Sequence, residues 1–165
     1  MNTQSKQELT VTSSAFSEGS MIPVKYTLNS ENISPDISWN GSPGGTKSFV
    51  IIMEDPDIPM PKFLIPSWVH WIVYNIPPGT TSLPAAIPSS GTLESGMKQG
   101  KTSFMKTGYK GPKPPFGIHR YFFNIYALDK TLDLSPAKAS KKKIMKAMDG
   151  HVLAKGALMG RYKNQ

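Results

Sequence analysis

Cysteine is absent from the 165 residues. That excludes disulfides and thiolate metal sites, and it says little about compartment. Long apolar runs are missing too: none approaches the ~20 residues that a membrane-spanning helix needs. The opening stretch, Met1 to Thr10, is polar and lacks the apolar centre of a signal peptide. The expectation is a cytoplasmic protein, although a processed precursor would read the same way. No serine sits in a nucleophile-elbow motif, and the compact His-x-x-x-His spacing is absent. Helix-turn-helix, zinc-finger and RNA-binding aromatic patterns are also missing. Acidic residues are scarce, 11 against 19 lysines and arginines, for a net charge of +8. Much of that excess sits in Lys138, Lys141, Lys142, Lys143, Lys146 and Lys155. It reads first as a solvated helix face, and otherwise as weak attraction to phosphate surfaces such as acidic lipid headgroups.

One near miss needs removing. Gly96-Met97-Lys98-Gln99-Gly100-Lys101-Thr102 looks like a phosphate-binding P-loop, but three residues separate its glycines where the motif needs four. No strand pattern precedes it and a Gly/Pro-rich run follows, so nucleotide hydrolysis is not assigned to it.

What is present is strand after strand. Residues 1–7 read as a disordered tail, and residues 8–165 as a single domain. Alternating polarity predicts a first strand from Glu8 to Phe16. A second, interrupted by Pro23, is predicted from Met21 to Leu28. A short strand follows at Ile37 to Asn40, then a central one from Lys47 to Met53 that ends in Glu54-Asp55-Pro56-Asp57-Ile58-Pro59. Trp68 to Ile76 is a clear strand, with Trp68, His70, Ile72 and Tyr74 expected on one face and Val69, Trp71 and Val73 on the other. Thr80 to Tyr109 is long, rich in Gly, Ser and Pro, and weakly periodic. Gly117 to Leu128 is the clearest strand of all and is expected to be buried on both faces. His119 and Tyr121 share one face near its start, and Arg120 lies on the other. Ser135-Pro136 reads as a helix start, with Ser135 as N-cap and helix through Met148. His151 lies by that helix's end, where the dipole accounts for it. The last stretch, His151 to Tyr162, fits helix or strand. About seven strands and one C-terminal helix predict a mainly β protein, an antiparallel β-sandwich with a helix appended.

The polar groups to weigh lie at strand ends. A lone histidine in an apolar strand is ordinarily a satisfied core residue. Two histidines in separate strands, near Pro/Gly-rich loops and with a carboxylate at a third strand end, shift that reading. If the three strands are neighbours, Asp55, His70, His119 and Tyr121 converge on one pocket. Imidazole N–H, phenol O–H and loop N–H groups would make it a donor site for a small oxyanion, binding more tightly as pH falls. Trp68 would form an apolar wall or hold a cationic headgroup over its ring. Arg120 and Asp57 read as a structural ion pair. His70, His119 and Asp55 also match the ligand count of a metal site, so a metal-dependent hydrolase stays open as an alternative. A protein-interaction module with a vestigial anion site, using the apolar Met60–Pro66 loop and the Lys138–Lys146 face, is a third reading.

Several segments are familiar together. They are Asn32-Ile33-Ser34-Pro35 with Trp39, Gly45-Thr46-Lys47-Ser48-Phe49, and Asp55-Pro56-Asp57-Ile58-Pro59. Trp68-Val69-His70-Trp71 follows, then Lys106-Thr107-Gly108-Tyr109 with Pro114-Pro115, then Gly117-Ile118-His119-Arg120-Tyr121. In this order, over residues 8–162, the chain resembles the phosphatidylethanolamine-binding protein (PEBP) family, in particular its bacterial Raf-kinase-inhibitor-like branch. The resemblance implies a sandwich of antiparallel, Greek-key-type sheets with a small anion pocket for phosphate-type headgroups such as phosphoethanolamine. It maps the pocket onto Asp55, Trp68, His70, His119 and Tyr121, with Pro59, Gly111, Pro112, Pro114 and Pro115 at the rim. It implies a non-enzymatic binding or regulatory protein with no cofactor or metal. Its partners would be a small phospho-headgroup ligand and a kinase or protease that it inhibits. Nucleic acid is not expected, and peripheral contact with acidic lipid is.

Overall fold

A computed structural model describes residues 7–165. Residues 1–6 of the expected tail lie outside the described residues; Gln7 already pairs with Ala154. The described chain is mainly β with one α-helix. Its strands are β1 (Gln7–Glu8), β2 (Thr10–Thr12), β3 (Ile37–Asn40), β4 (Ser48–Asp55), β5 (Trp68–Ile76), β6 (Ser82–Leu83), β7 (Lys98–Gln99), β8 (Ile118–Leu128) and β9 (Val152–Lys163), with helix α1 (Lys141–Met148) before the last. Six strands form one sheet in the order β1-β9-β8-β4-β5-β7, and β2-β3-β6 form a second. The second sheet is antiparallel, whereas β1 runs parallel to β9 and makes the first sheet mixed.

Two apolar clusters follow from strand alternation. Phe49, Ile51 and Met53 of β4 and Phe123 and Ile125 of β8 share a buried cluster with Val11, Ile37, Trp39 and Leu83 of the other sheet. On the opposite face, Val50 and Ile52 pack with Ile72, Tyr74, Leu132 and the α1 residues Ile144 and Met148. The helix therefore covers part of the large sheet's outer side. Each fully buried side chain of this size contributes roughly 1.5–3 kcal/mol.

Several expected elements shift, each for a local reason. The expected first strand splits: at Leu9 the backbone N–H donates to the Lys155 carbonyl at 2.9 Å, so the chain leaves one sheet and joins the other within three residues. Beyond β2, Ser14 turns to Asp36 through its N–H and hydroxyl, at 2.9 and 2.6 Å. Met21 to Leu28 is not a strand. Pro23 accepts from the Tyr26 N–H at 3.0 Å and Val24 from Thr27, which winds Val24–Tyr26 into a 3-10 turn. The central strand runs two residues further than expected, to Asp55. Pro136–Lys138 forms only a 3-10 turn, because the Ala139 carbonyl accepts from Lys101 N–H at 2.9 Å and so cannot continue a helix. Helix α1 starts afresh on Ser140, whose hydroxyl accepts from Lys143 N–H at 3.4 Å. The ambiguous C-terminal stretch is the longest strand, β9, paired along β8. Strand β8 is buried on one face only; Phe122, Asn124 and Tyr126 on the other are half-buried.

The weakly periodic stretch carries β6 and β7 and is tied down by one buried amide. Gln99 accepts from Trp71 Nε1 at 2.7 Å and donates to the carbonyls of Pro88 and Ser90 at 2.6 and 2.9 Å.

Candidate functional site

Strands β5, β4 and β8 are neighbours in the large sheet, and their pocket-side ends carry the polar residues. Asp55 ends β4, His119 and Tyr121 open β8, and Trp68 and His70 open β5. The pairing of β5 with β4 is irregular here. Met53 faces Trp71, while Glu54 faces Val69. Two steps on β5 match one on β4, so His70 is the extra residue of a β-bulge. The bulge resets the alternation. Trp71 and Val73 lie in the inter-sheet cluster, and Val69, Ile72 and Tyr74 in the helix-covered one. The expected grouping of His70 with Ile72 and Tyr74 is therefore corrected. His70 instead meets Tyr121, ring centroids 5.2 Å apart and nearly perpendicular.

Asp55 organises the polar floor. Its Oδ1 accepts the Asp57 N–H at 2.7 Å, and its Oδ2 accepts from His119 Nδ1 at 2.7 Å. Burial, reinforced by the charge of Asp55 and a hydrogen bond to it, holds the Tyr121 phenol well above its ordinary range. The phenol stays protonated beside the carboxylate. His70 donates through Nδ1 to the Lys110 carbonyl at 2.6 Å, which leaves Nε2 as the nitrogen available to a ligand. Burial pushes His70 down to about 4, against smaller opposing effects of that hydrogen bond and of Asp55. At neutral pH its Nε2 is thus an acceptor. The sequence reading had cast it as an oxyanion donor.

These groups open on a cleft of about 430 Å³, lined by Asp55, Trp68, His70 and Tyr121 and by rim residues including Pro59, Pro114 and Pro115. The volume falls within the range of small-molecule sites. His119 does not line the cleft; it is buried and reaches the site through Asp55. Nor do Gly111 and Pro112, which hold the loop in place. Gly111 N–H donates to Asn32 Oδ1 at 2.7 Å, and a Cβ there would collide with the Tyr26 carbonyl. Pro112 accepts the Leu28 N–H at 3.1 Å, and Leu28 lines the cleft. Arg120 sits on the far face and clamps Asp57 through its backbone N–H, Nε and Nη2, at 2.9, 2.9 and 2.8 Å. That pair fixes the Asp55–Pro59 turn. His151 is bound to Asp129 at 2.8 Å, so an ion-pair geometry accounts for it and the helix dipole is not needed.

Leu28, Ile58, Met60 and Phe104 line the cleft and went unrecognised as lining residues in the sequence, and Lys113 went unnamed within the rim loop from Gly111 to Pro115. Phe104 stands edge-on to both Trp68 and His70, at 5.7 and 5.4 Å. It lies in the aperiodic stretch, where no pattern marks it. Among the described residues, Lys113 is the only cation lining the cleft. A larger hollow, about 510 Å³, lies on the outer face of β8 and β9 beside Glu8, Tyr126 and Lys155. Its charged residues, Glu8 and Lys155, are exposed and its Tyr126 is half-buried, so the chemistry points to the smaller cleft. Among the described residues no group of three or more His, Cys, Asp or Glu is placed to hold a metal ion. His70 Nδ1 faces the Lys110 carbonyl and His119 Nδ1 faces Asp55, and this arrangement gives the metal-dependent hydrolase reading no support. None of the described helices is long and apolar enough to cross a membrane.

Residues 12–163 match the sequence model of the family described as phosphatidylethanolamine-binding protein. The chain belongs to that family. A UPF0098 protein of Methanothermobacter thermautotrophicus is 47% identical over 149 residues, covering 90% of this chain and 95% of that one. Among solved structures, a putative PEBP homologue of Chlamydia trachomatis, CT736, superposes with a TM-score of 0.84 at 37% identity. It covers 98% of this chain and 100% of its own. YbcL of E. coli, described as a member of the mammalian PEBP family, gives a TM-score of 0.85 at 29% identity, with the same coverage. In this PEBP chain the Asp-Pro-Asp-x-Pro, Trp-x-His and Gly-x-His-Arg-Tyr segments thus each contribute to one cleft or to its support.

Proposed function

We propose that this PEBP-family chain is a non-enzymatic binding protein, built as a β-sandwich, whose cleft takes a phosphoethanolamine-like headgroup. The observation that carries the reading is the pairing of opposite functions in one largely apolar cleft. Asp55 and the neutral Nε2 of His70 accept hydrogen bonds at the floor, while the Lys113 ammonium lines the mouth. A bare dianion meets a carboxylate at the floor and matches only one end. A zwitterion matches both: its ammonium is held by His70 Nε2, Asp55 and the Trp68 ring face, and its phosphate by Lys113. The Asp55 charge is already shared between two donors, the Asp57 N–H and the His119 Nδ1–H, which keeps the floor from becoming a bare cation trap. No side chain here is set up as a nucleophile, and His119 spends its Nδ1 proton on orienting Asp55.

The test is calorimetric titration of the wild type with phosphoethanolamine, inorganic phosphate and ethanolamine. The zwitterion is expected to bind at least tenfold tighter than either half. Lys113→Ala should weaken phosphate and phosphoethanolamine but leave ethanolamine unchanged. Equal affinity for phosphate and phosphoethanolamine, or no change in either when His70 is replaced by Ala, overturns the assignment.

A further inference from the structure

The Asn32-Ile33-Ser34-Pro35 segment lines no part of the cleft, yet it walls a hollow of its own. This small hollow, about 210 Å³, lies among residues 32–34, residues 86–89 and the pair Tyr109 and Lys110. It shares no lining residue with the cleft.

Its backbone is strained at one wall. Ala86 has φ +61°, and a left-handed alanine has no polar side chain to offset the strain. Ser34 holds it there. The Ser34 carbonyl accepts the Ala86 N–H at 2.9 Å, and its hydroxyl oxygen accepts the Ile87 N–H at 3.0 Å. Asn32 is also left-handed, at φ +55°, a conformation that asparagine tolerates. Strain kept in place by its surroundings concentrates at binding sites.

The polar groups of the hollow are unevenly used. Its acceptors are engaged: the Ser34 carbonyl by Ala86, the Lys110 carbonyl by the His70 ring, and Asn32 Oδ1 by the Gly111 N–H at 2.7 Å. Its donors are left over. With Oδ1 fixed by Gly111, Asn32 has both Nδ2 protons to give. Ser34 is only 1% exposed, and among the described residues its hydroxyl proton meets no acceptor. The Ser89 hydroxyl and the Lys110 ammonium likewise make no hydrogen bond or ion pair among the described residues. No Asp or Glu lines the hollow.

We infer that this hollow is a second binding site, for a small carboxylate. An amide NH2 and two hydroxyls can serve the two oxygens of a planar carboxylate, and one lysine balances its single charge. The volume lies below the roughly 300 Å³ at which drug-sized sites begin, so the ligand is small. The site does not depend on the headgroup reading of the cleft.

The experiment is amide NMR of the full chain, titrated with sodium acetate against sodium chloride at matched ionic strength. Acetate should give saturable shifts at the Ser34, Ile87 and Ser89 amides and the Asn32 side-chain NH2. Half-saturation is expected in the low-millimolar range for so few non-hydrogen atoms. The Trp68 and Tyr121 amides should stay in place. Sulfate, tetrahedral and doubly charged, should bind at least fivefold more weakly. Ser89→Ala with Lys110→Gln should weaken acetate at least tenfold, whereas Lys110→Arg should retain it. Ser89 is exposed and Lys110 half-buried, and the unshifted remainder of each spectrum would check that the fold is kept. His70→Ala and excess phosphoethanolamine should leave acetate binding intact. Shifts that climb linearly without saturating overturn the inference. So do sulfate binding as tight as acetate, unchanged affinity in Ser89→Ala with Lys110→Gln, and competition by phosphoethanolamine, which would put acetate in the cleft instead.

Discussion

The buried, neutral state of His70 makes an acid-stability prediction that can be worked through. In the unfolded chain the imidazole has its ordinary value of 6.5, and in the folded protein burial lowers it to about 4. The unfolded state therefore binds the proton first as pH falls, and folding stability drops with it. The stability at stake is fully present above the unfolded value and is lost between about pH 6.5 and about pH 4. A displacement of that size corresponds to roughly 3 kcal/mol in full, of which roughly 2 kcal/mol is lost between about pH 7 and about pH 5. The comparison variant is His70→Asn, whose amide N–H can still donate to the Lys110 carbonyl but cannot titrate. Every other ionisable group is common to both proteins, so the difference isolates His70. Urea unfolding at a series of pH values should show the wild-type curve falling away from that of His70→Asn by about 2 kcal/mol as pH drops to about 5. Parallel curves, agreeing within about 0.5 kcal/mol throughout, would refute the reasoning. Such a result would mean that the imidazole finds water or a counter-charge in the folded state.

Other consequences are simpler to state. Asp55→Ala leaves the His119 Nδ1–H and the Asp57 N–H without their shared acceptor, and should cost about 3–5 kcal/mol in denaturant unfolding. Asp55→Asn should cost less, because its carbonyl oxygen keeps one of the two. Gly111→Ala forces a methyl against the Tyr26 carbonyl. It should destabilise by ~1–3 kcal/mol and weaken phosphoethanolamine binding in calorimetry by moving Lys113 and Pro114. Ser140→Ala removes the cap of α1 and should cost ~1 kcal/mol. Amide exchange should then quicken at Lys143 and Ile144 while leaving β8 unchanged.

Strand β8 was readable from its alternation, and with it the placing of His119 and Tyr121 on the face away from Arg120. Asp55 was readable as the last residue before a proline-rich turn. The face of His70 was not, because a bulge is a property of two paired strands and leaves no period in either one. Phe104 and Lys113 were hidden for a related reason. Their positions come from distant hydrogen bonds, between Ser103 and Val69 and from Gly111 to Asn32, rather than from a local repeat. The start of α1 was misplaced on Ser135 because the competing claim on the Ala139 carbonyl comes from Lys101, 38 residues earlier in the sequence. The short 3-10 turn after Pro23 marks the opposite case. There the proline was seen, and its local effect was underweighted against an apolar run.

The extra residue in β5 gives this strand a reading frame. Strand positions count in twos, and one residue more or less exchanges inside for outside along everything downstream. Deleting a single residue between Trp68 and Trp71 would not merely shorten the strand. Either His70 would be carried to the outer face towards Val69 and Ile72, or Trp71 and Val73 would be turned out of the core to keep it in place. Length in this segment is thus as constrained as residue type. A relative that reorganises the cleft can exchange side chains freely at its rim loops, but at β5 it must keep the spacing from Trp68 to Trp71.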